Sequence, residues 1–207
     1  MSENNFVKFI ILGEGPVGKT LILQRYFNNK FKEEKSIINS SFFEMKRTYE
    51  GKEYRLTFLD TKGKFESINN MYYQNAVGAF ILYDVTIPET FDKAKRWVYN
   101  LREIFGKDII FVIAGNKYDI SNKDVIDENK ANIDNYCQKE NCSHFYISAK
   151  TGYNLEETFK SLITSVLQKV SKEPNEENQK SRGRGKGRKL ENKEPKEKKS
   201  VINIMHY

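Results

Sequence analysis

Apolar runs rich in Ile, Val and Phe alternate along the chain with segments whose apolar residues recur every three or four positions. That alternation predicts a parallel sheet covered by helices on both faces. Strands are expected at Phe6–Leu12, Phe42–Tyr49, 54–60, 78–84, 109–116 and 144–148. The runs from Phe6, Gly78 and Ile109 are almost wholly apolar, as central strands buried on both faces should be. Phe42–Tyr49 instead mixes charge with aromatics, and Tyr49-Glu50-Gly51-Lys52 reads as a hairpin turn, so this strand is expected to lie antiparallel at an edge. The clearest helix is Glu89–Phe105, with Phe91, Ala94, Trp97, Val98, Leu101 and Phe105 at helical spacing. A second covers about 154–170, with Leu155, Phe159, Leu162, Ile163, Val166 and Val170 as its stripe and Pro174 beyond its end. The expected fold class is α/β, a six-stranded, mostly parallel sheet with one antiparallel edge strand.

Length and charge add an appendage to this picture. The 207 residues fit one domain, 1–170, followed by a basic C-terminal segment, 171–207, too polar and Gly-interrupted to bury a core. Residues 180–199 hold ten Lys and Arg against three Glu, which equals the whole chain's net charge of +7 and leaves a neutral domain with a basic tail. No apolar run approaches the roughly 18 residues of a membrane span, and Phe6–Leu12 is too short for a signal peptide, so a cytoplasmic protein is expected. Cys137 and Cys142 are too few for a disulfide framework and read as reduced structural cysteines.

The candidate chemistry begins where the first strand ends, at Gly13-Glu14-Gly15-Pro16-Val17-Gly18-Lys19-Thr20, a complete G-x-x-x-x-G-K-[ST] followed by helix-compatible sequence. Glycines there let backbone N–H groups converge on phosphate oxygens, and the helix N-terminus adds partial positive charge. Lys19 is placed to reach the outer phosphates, and the Thr20 hydroxyl to ligate Mg²⁺.

Asn116-Lys117-Tyr118-Asp119 after the fifth strand and Ser148-Ala149-Lys150 after the sixth resemble the guanine-reading motifs of the Ras superfamily. A carboxylate such as that of Asp119 can accept hydrogen bonds from both N1–H and the exocyclic amine of guanine, an arrangement adenine does not offer. A carboxylate covered by the wrong base is left unpaired, an error that costs orders of magnitude in discrimination. The resemblance implies that Asn116 and Lys117 brace the phosphate loop and the base, that the Ala149 N–H meets guanine O6, and that Phe31 stacks on the base. Asp60-Thr61-Lys62-Gly63 is similar to the superfamily's D-T-A-G, which implies that Asp60 holds Mg²⁺ through water and that the Gly63 N–H contacts the γ-phosphate. The likeness covers about 6–170, and the run from Tyr72 to Thr86 is particularly similar to the Rab branch. It implies a P-loop GTPase that binds Mg²⁺ with GTP or GDP as a switch in vesicle traffic, a monomer that meets protein effectors and an exchange factor.

Several positions depart from the Rab pattern. Lys64 stands where the resemblance implies a catalytic Gln, and an ammonium, a donor only, cannot orient the attacking water as an amide does. Hydrolysis is therefore expected to be slow. The switch I threonine aligns with Ile37, which offers no oxygen ligand, while Ser36 would substitute only after a register shift. The effector-facing aromatic triad maps onto Phe42, Leu59 and Tyr72, with Leu replacing Trp; the plainer reading has Phe42 and Tyr72 packing the sheet edge. No cysteine follows Cys142, so the prenylated end of most Rabs has no counterpart. The tail reads as a solvated segment, as a weak binder of anionic membrane, or as a binder of another polyanion, with nucleic acid ranked last. The rival to a switch is a pseudo-GTPase scaffold, loaded or empty, within a larger assembly.

Overall fold

The computed structural model describes residues 5–29, 42–61 and 74–172. In chain order these form β1 (Phe6–Leu12), α1 (Lys19–Asn28), β2 (Phe42–Tyr49), β3 (Lys52–Asp60), β4 (Ala76–Asp84) and α2 (Glu89–Phe105). Then follow β5 (Ile110–Asn116), a 3₁₀ turn (Tyr118–Ile120), α3 (Lys123–Glu140), β6 (Ser143–Tyr146) and α4 (Leu155–Val170). The sheet runs β2-β3-β1-β4-β5-β6, and β2 pairs antiparallel with β3 while every other pairing is parallel. The α/β class and the antiparallel edge strand are those the pattern predicts.

Period-two alternation sends the two sets of β1 side chains to opposite faces. Phe9 and Ile11 pack with Ile22 and Leu23 of α1 and with Phe159, Leu162 and Val166 of α4. Ile10 and Leu12 join Phe91, Trp97 and Leu101 of α2 and Ile133 and Cys137 of α3. Phe159 anchors the first face: it lies 3.9 Å, centroid to centroid, from Tyr26, 5.0 Å from Phe80 and 5.6 Å from Phe58.

Element ends differ from expectation by a few residues, for local reasons. The strand expected from Tyr54 begins at Lys52, because Glu50 and Gly51 both take left-handed φ (49° and 75°) and close a two-residue hairpin that pairs Tyr49 with Lys52. β6 stops at Tyr146: Ile147 still donates to Gly115 O at 2.8 Å, but Ser148 N turns to Tyr153 O at 3.1 Å. α3 is an element that the periodicity did not single out. Of its 18 residues, Ile126, Ile133 and Cys137 alone are buried, so its apolar stripe is narrow.

The topology positions the site. All five parallel strands end at the same edge of the sheet, and β1 lies between β3 and β4, where the chain changes its direction of winding. Ligands of such sheets settle in the crevice outside the strand C-termini at this point. The loops after β1, β4, β5 and β6 open there, and β3 ends there at Asp60.

Candidate functional site

The loop from Gly13 to Gly18 joins β1 to α1 through three glycines at positive φ, 148° at Gly13, 71° at Gly15 and 96° at Gly18. A Cβ on Gly18 would lie 2.2 Å from the Asn116 amide nitrogen, so a side chain is excluded there on contact as well as conformation. Lys19, the first residue of α1, is buried, and its ammonium donates to Gly13 O at 2.7 Å and Gly15 O at 3.0 Å, drawing the loop around itself. Burial holds the Lys19 ammonium below the ordinary lysine range, while the Asp60 and Glu14 carboxylates pull partly back. Glu14, Gly15 and Pro16 are exposed at the tip of the loop, and Val17 is buried beneath it. Glu14 pairs with Lys93 at 2.9 Å, an exposed contact of small energetic worth.

β3 delivers Asp60 beside the start of α1. The Thr20 hydroxyl donates to Asp60 Oδ2 at 2.5 Å, and Thr61 ties the strand end back to Ile11 O at 2.7 Å. A hydroxyl and a carboxylate form a hard-oxygen pair of the kind Mg²⁺ takes, and that ion is bound through one or two carboxylates together with substrate phosphates. Among the described residues no group of three or more His, Cys, Asp or Glu converges on a metal position. The Thr20 and Asp60 oxygens fit a metal that arrives with phosphate oxygens.

Asn116, at the end of β5, joins the loop of Gly13 to Gly18 to the loop after β6. Its buried amide donates to Val17 O at 2.8 Å and accepts from Ala149 N at 3.0 Å. Ser148 donates its hydroxyl to Asp119 Oδ1 at 2.6 Å and accepts from Thr151 N at 3.1 Å, fixing the carboxylate against the second loop. Asp119 and Lys150 are exposed, whereas Ser148 and Ala149 are buried. Lys117 takes a left-handed φ of 68° and its ammonium sits 2.5 Å from Asp84 Oδ2.

Three features of this edge were not assigned from sequence. Asp84 ends the apolar run of β4 and is almost fully buried; besides Lys117 it accepts from the Thr86 hydroxyl at 2.6 Å and the Thr86 N–H at 3.0 Å. Burial raises the Asp84 carboxyl, but the Lys117 and Thr86 hydrogen bonds outweigh it and hold the group below the ordinary carboxylate range. A charge closing an otherwise apolar strand was the available signal. Tyr118 stacks on Tyr146 at 5.5 Å and on Tyr153 at 5.2 Å, clasping the two loops, and Arg25 reaches from α1 to Thr151 O at 3.0 Å.

Phe31, Ser36, Ile37, Lys62, Gly63, Lys64, Tyr72 and the 173–207 tail lie outside the described residues. Of the expected effector triad, Phe42 is exposed on β2 and pairs across the ladder with Leu59, which is buried.

A glycine loop between the first strand and first helix of a largely parallel sheet, with an Asp at the end of β3 and Asn and Ser motifs at the ends of β5 and β6, defines an α/β P-loop protein of the Ras-like type. A model of the Ras family matches residues 8–168. GTP-binding protein YPT53 of Saccharomyces cerevisiae is 39% identical over 167 residues, 77% of this chain and 76% of that protein. Ras-related protein RabH of Dictyostelium discoideum is 35% identical over 172 residues (82% and 85%), and human Ras-related protein Rab-21 is 34% identical over 164 (78% and 72%). The chain belongs to the Ras family and is a Rab-like small GTPase.

Proposed function

We propose that this protein is a nucleotide switch that binds GTP and GDP with Mg²⁺, hydrolyses GTP slowly, and presents its β2–β3 surface to protein partners in vesicle traffic. The reading is carried by Asn116, whose amide bonds to Val17 O and Ala149 N bind the phosphate loop to the base-reading loop. A guanine nucleotide spanning the edge would be held at both ends by loops already fixed to one another. Its phosphates would meet the N–H groups of Gly13 to Gly18 and the Lys19 ammonium, its base Asp119 and the Ala149 N–H, with Lys117 and Phe31 flanking the ring. Mg²⁺, held by the Thr20 hydroxyl and through water by Asp60, would neutralise charge on the outer phosphates. Equilibrium displacement of a fluorescent GDP tests the reading: GTP and GDP should compete and ATP should not. Competition by ATP as strong as by GTP would overturn the assignment of Asp119.

Lys64 and Ile37 favour a second reading, a pseudo-GTPase scaffold whose surface no longer follows the γ-phosphate. The nucleotide released on denaturing the purified protein separates the two: GDP supports turnover, GTP a loaded state without hydrolysis, and no nucleotide an empty scaffold. Among the described residues no helix is long and apolar enough to cross a membrane. Residues 171–207 would supply a charge-driven, reversible hold on anionic membrane, with each basic residue contributing about 1 kcal/mol. Such binding to anionic vesicles should fade as salt shortens the Debye length from ~10 Å at 0.1 M to ~3 Å at 1 M. Flotation that survives 1 M salt would rule out a purely electrostatic anchor.

A further inference from the structure

At the edge of the sheet opposite the phosphate loop, the two cysteines of the chain meet. Cys137 lies in the last turn of α3 and Cys142 immediately precedes β6. Asn141, between them, takes the left-handed conformation that ends the helix (φ 52°), and this folds Cys142 N onto Cys137 O at 3.0 Å. With the two main chains hydrogen-bonded directly, standard bond lengths keep the Cα atoms within the span a disulfide bridges. The two thiols also act on one another's ionisation, the pairing holding Cys137 below its ordinary range and pushing Cys142 above it. Both thiols are free, Cys137 buried and Cys142 half-buried. Both also line a surface cavity of about 630 Å³, bordered on its polar side by Gln138, Asn141, Ser161 and Ser165. Small polar oxidants can therefore approach the residues of the pair from this cavity.

We propose that Cys137 and Cys142 form a thiol pair that a hydroperoxide oxidises reversibly to an intramolecular disulfide. The Cys137 thiolate attacks one peroxide oxygen, the O–O bond breaks, and the departing oxygen takes a proton, leaving a sulfenic acid on Cys137. The Cys142 sulfur, giving up its proton, attacks the Cys137 sulfur and expels the hydroxyl as water. Two thiols and one hydrogen peroxide thus yield one disulfide and two waters, with the thiols losing two electrons to the peroxide oxygens. A dithiol reductant reverses the change by thiol–disulfide exchange. The pairing with Cys142 favours this order of events, because it outweighs the cost of burial and holds the Cys137 thiol below its ordinary range. In a reducing compartment such a bond is transient, which suits a sensor and not a structural staple. The proposal does not depend on the nucleotide reading.

The test uses the full chain, reduced and then treated with a modest excess of hydrogen peroxide. Because these are the only cysteines, thiol titration in denaturant reads the pair directly. Titratable thiols should fall from two to none, the intact mass should drop by two hydrogens, non-reducing electrophoresis should show monomer, and dithiothreitol should restore both thiols. Cys142→Ser should instead leave Cys137 as a sulfenic acid that dimedone traps. Retention of both thiols, covalent dimers in place of the internal bond, or a wild-type dimedone adduct equal to that of Cys142→Ser would each overturn the proposal.

Discussion

The side chains of this edge divide by what they hold, and the division sets what each substitution should do. Asn116 satisfies two buried backbone groups at once, Val17 O and Ala149 N. Replacing it with Ala leaves both unpaired, at about 1–3 kcal/mol each, and frees the phosphate loop from the base loop. Asn116→Ala should therefore weaken GDP binding at least tenfold in equilibrium displacement and also lower the urea midpoint. Lys19→Ala differs in kind. Its ammonium is buried among the loop carbonyls, so removing it relieves the cost of burying a charge as it loses two hydrogen bonds; nucleotide binding should vanish while the urea midpoint of the nucleotide-free protein stays near that of the parent. A large loss of stability in that variant would mean Lys19 is structural. On the proposed reading as a switch, Lys64 concerns rate, not affinity. A donor-only ammonium at the water-orienting position should keep single-turnover hydrolysis at or below roughly 10⁻⁴ s⁻¹, and Lys64→Gln should raise it. An unchanged rate in Lys64→Gln would shift the defect to Ile37.

At the level of elements, α4 and α3 show why some of this fold was legible in sequence and some was not. The stripe of α4 fills one face of the sheet, and its Phe159 is wholly buried against Tyr26, Phe58 and Phe80. Phe159→Ala should cost roughly 3–5 kcal/mol, seen as a lower urea midpoint with an unchanged slope. A shift of only a few tenths would mean that the aromatic cluster repacks around the cavity. Burial this dense imposes a periodicity that the sequence displays openly. α3 packs at the margin through Ile126, Ile133 and Cys137, and a helix that buries so little has little pattern to show. The strands were legible for the same reason as α4, and their ends were not, because ends depend on φ at single residues such as Glu50 and Gly51. The loop of Gly13 to Thr20 and the Asn116 and Ser148 motifs, which the fold brings to one edge of the sheet, stood out in the sequence because the proposed phosphate and base chemistry demands fixed residue types at fixed spacing. Asp84 escaped because it lies outside those motifs and meets Lys117 only when β4 folds against β5.

Across the whole molecule, one half-buried histidine ties global stability to pH. His144 lies on β6 with its Nε2 2.9 Å from the Tyr83 hydroxyl and its ring against Tyr146 at 4.6 Å. Burial lowers its pKa from 6.5 to about 4, and Asp134, the charged group nearest in effect, recovers only part of the shift. The folded protein thus keeps a neutral imidazole where the unfolded chain takes up a proton, so the unfolded state binds more protons throughout that interval. Stability from this group is complete above pH 6.5 and is lost as pH falls towards about 4, reaching a loss of about 3 kcal/mol at the lower end. The Asp84 carboxyl titrates below its ordinary 3.8, so the Lys117 pair fails only at still lower pH and does not blur the interval. The chain's other histidine, His206, lies in the tail. Urea unfolding of the parent and of His144→Gln at pH 7, 6, 5 and 4 isolates the effect, since the remaining carboxylates contribute equally to both proteins. The difference in unfolding free energy between the two should shift steadily in favour of the variant as pH falls from 6.5 to 4. A difference independent of pH over that range would mean that His144 is protonated in the folded protein, its charge carried by Asp134.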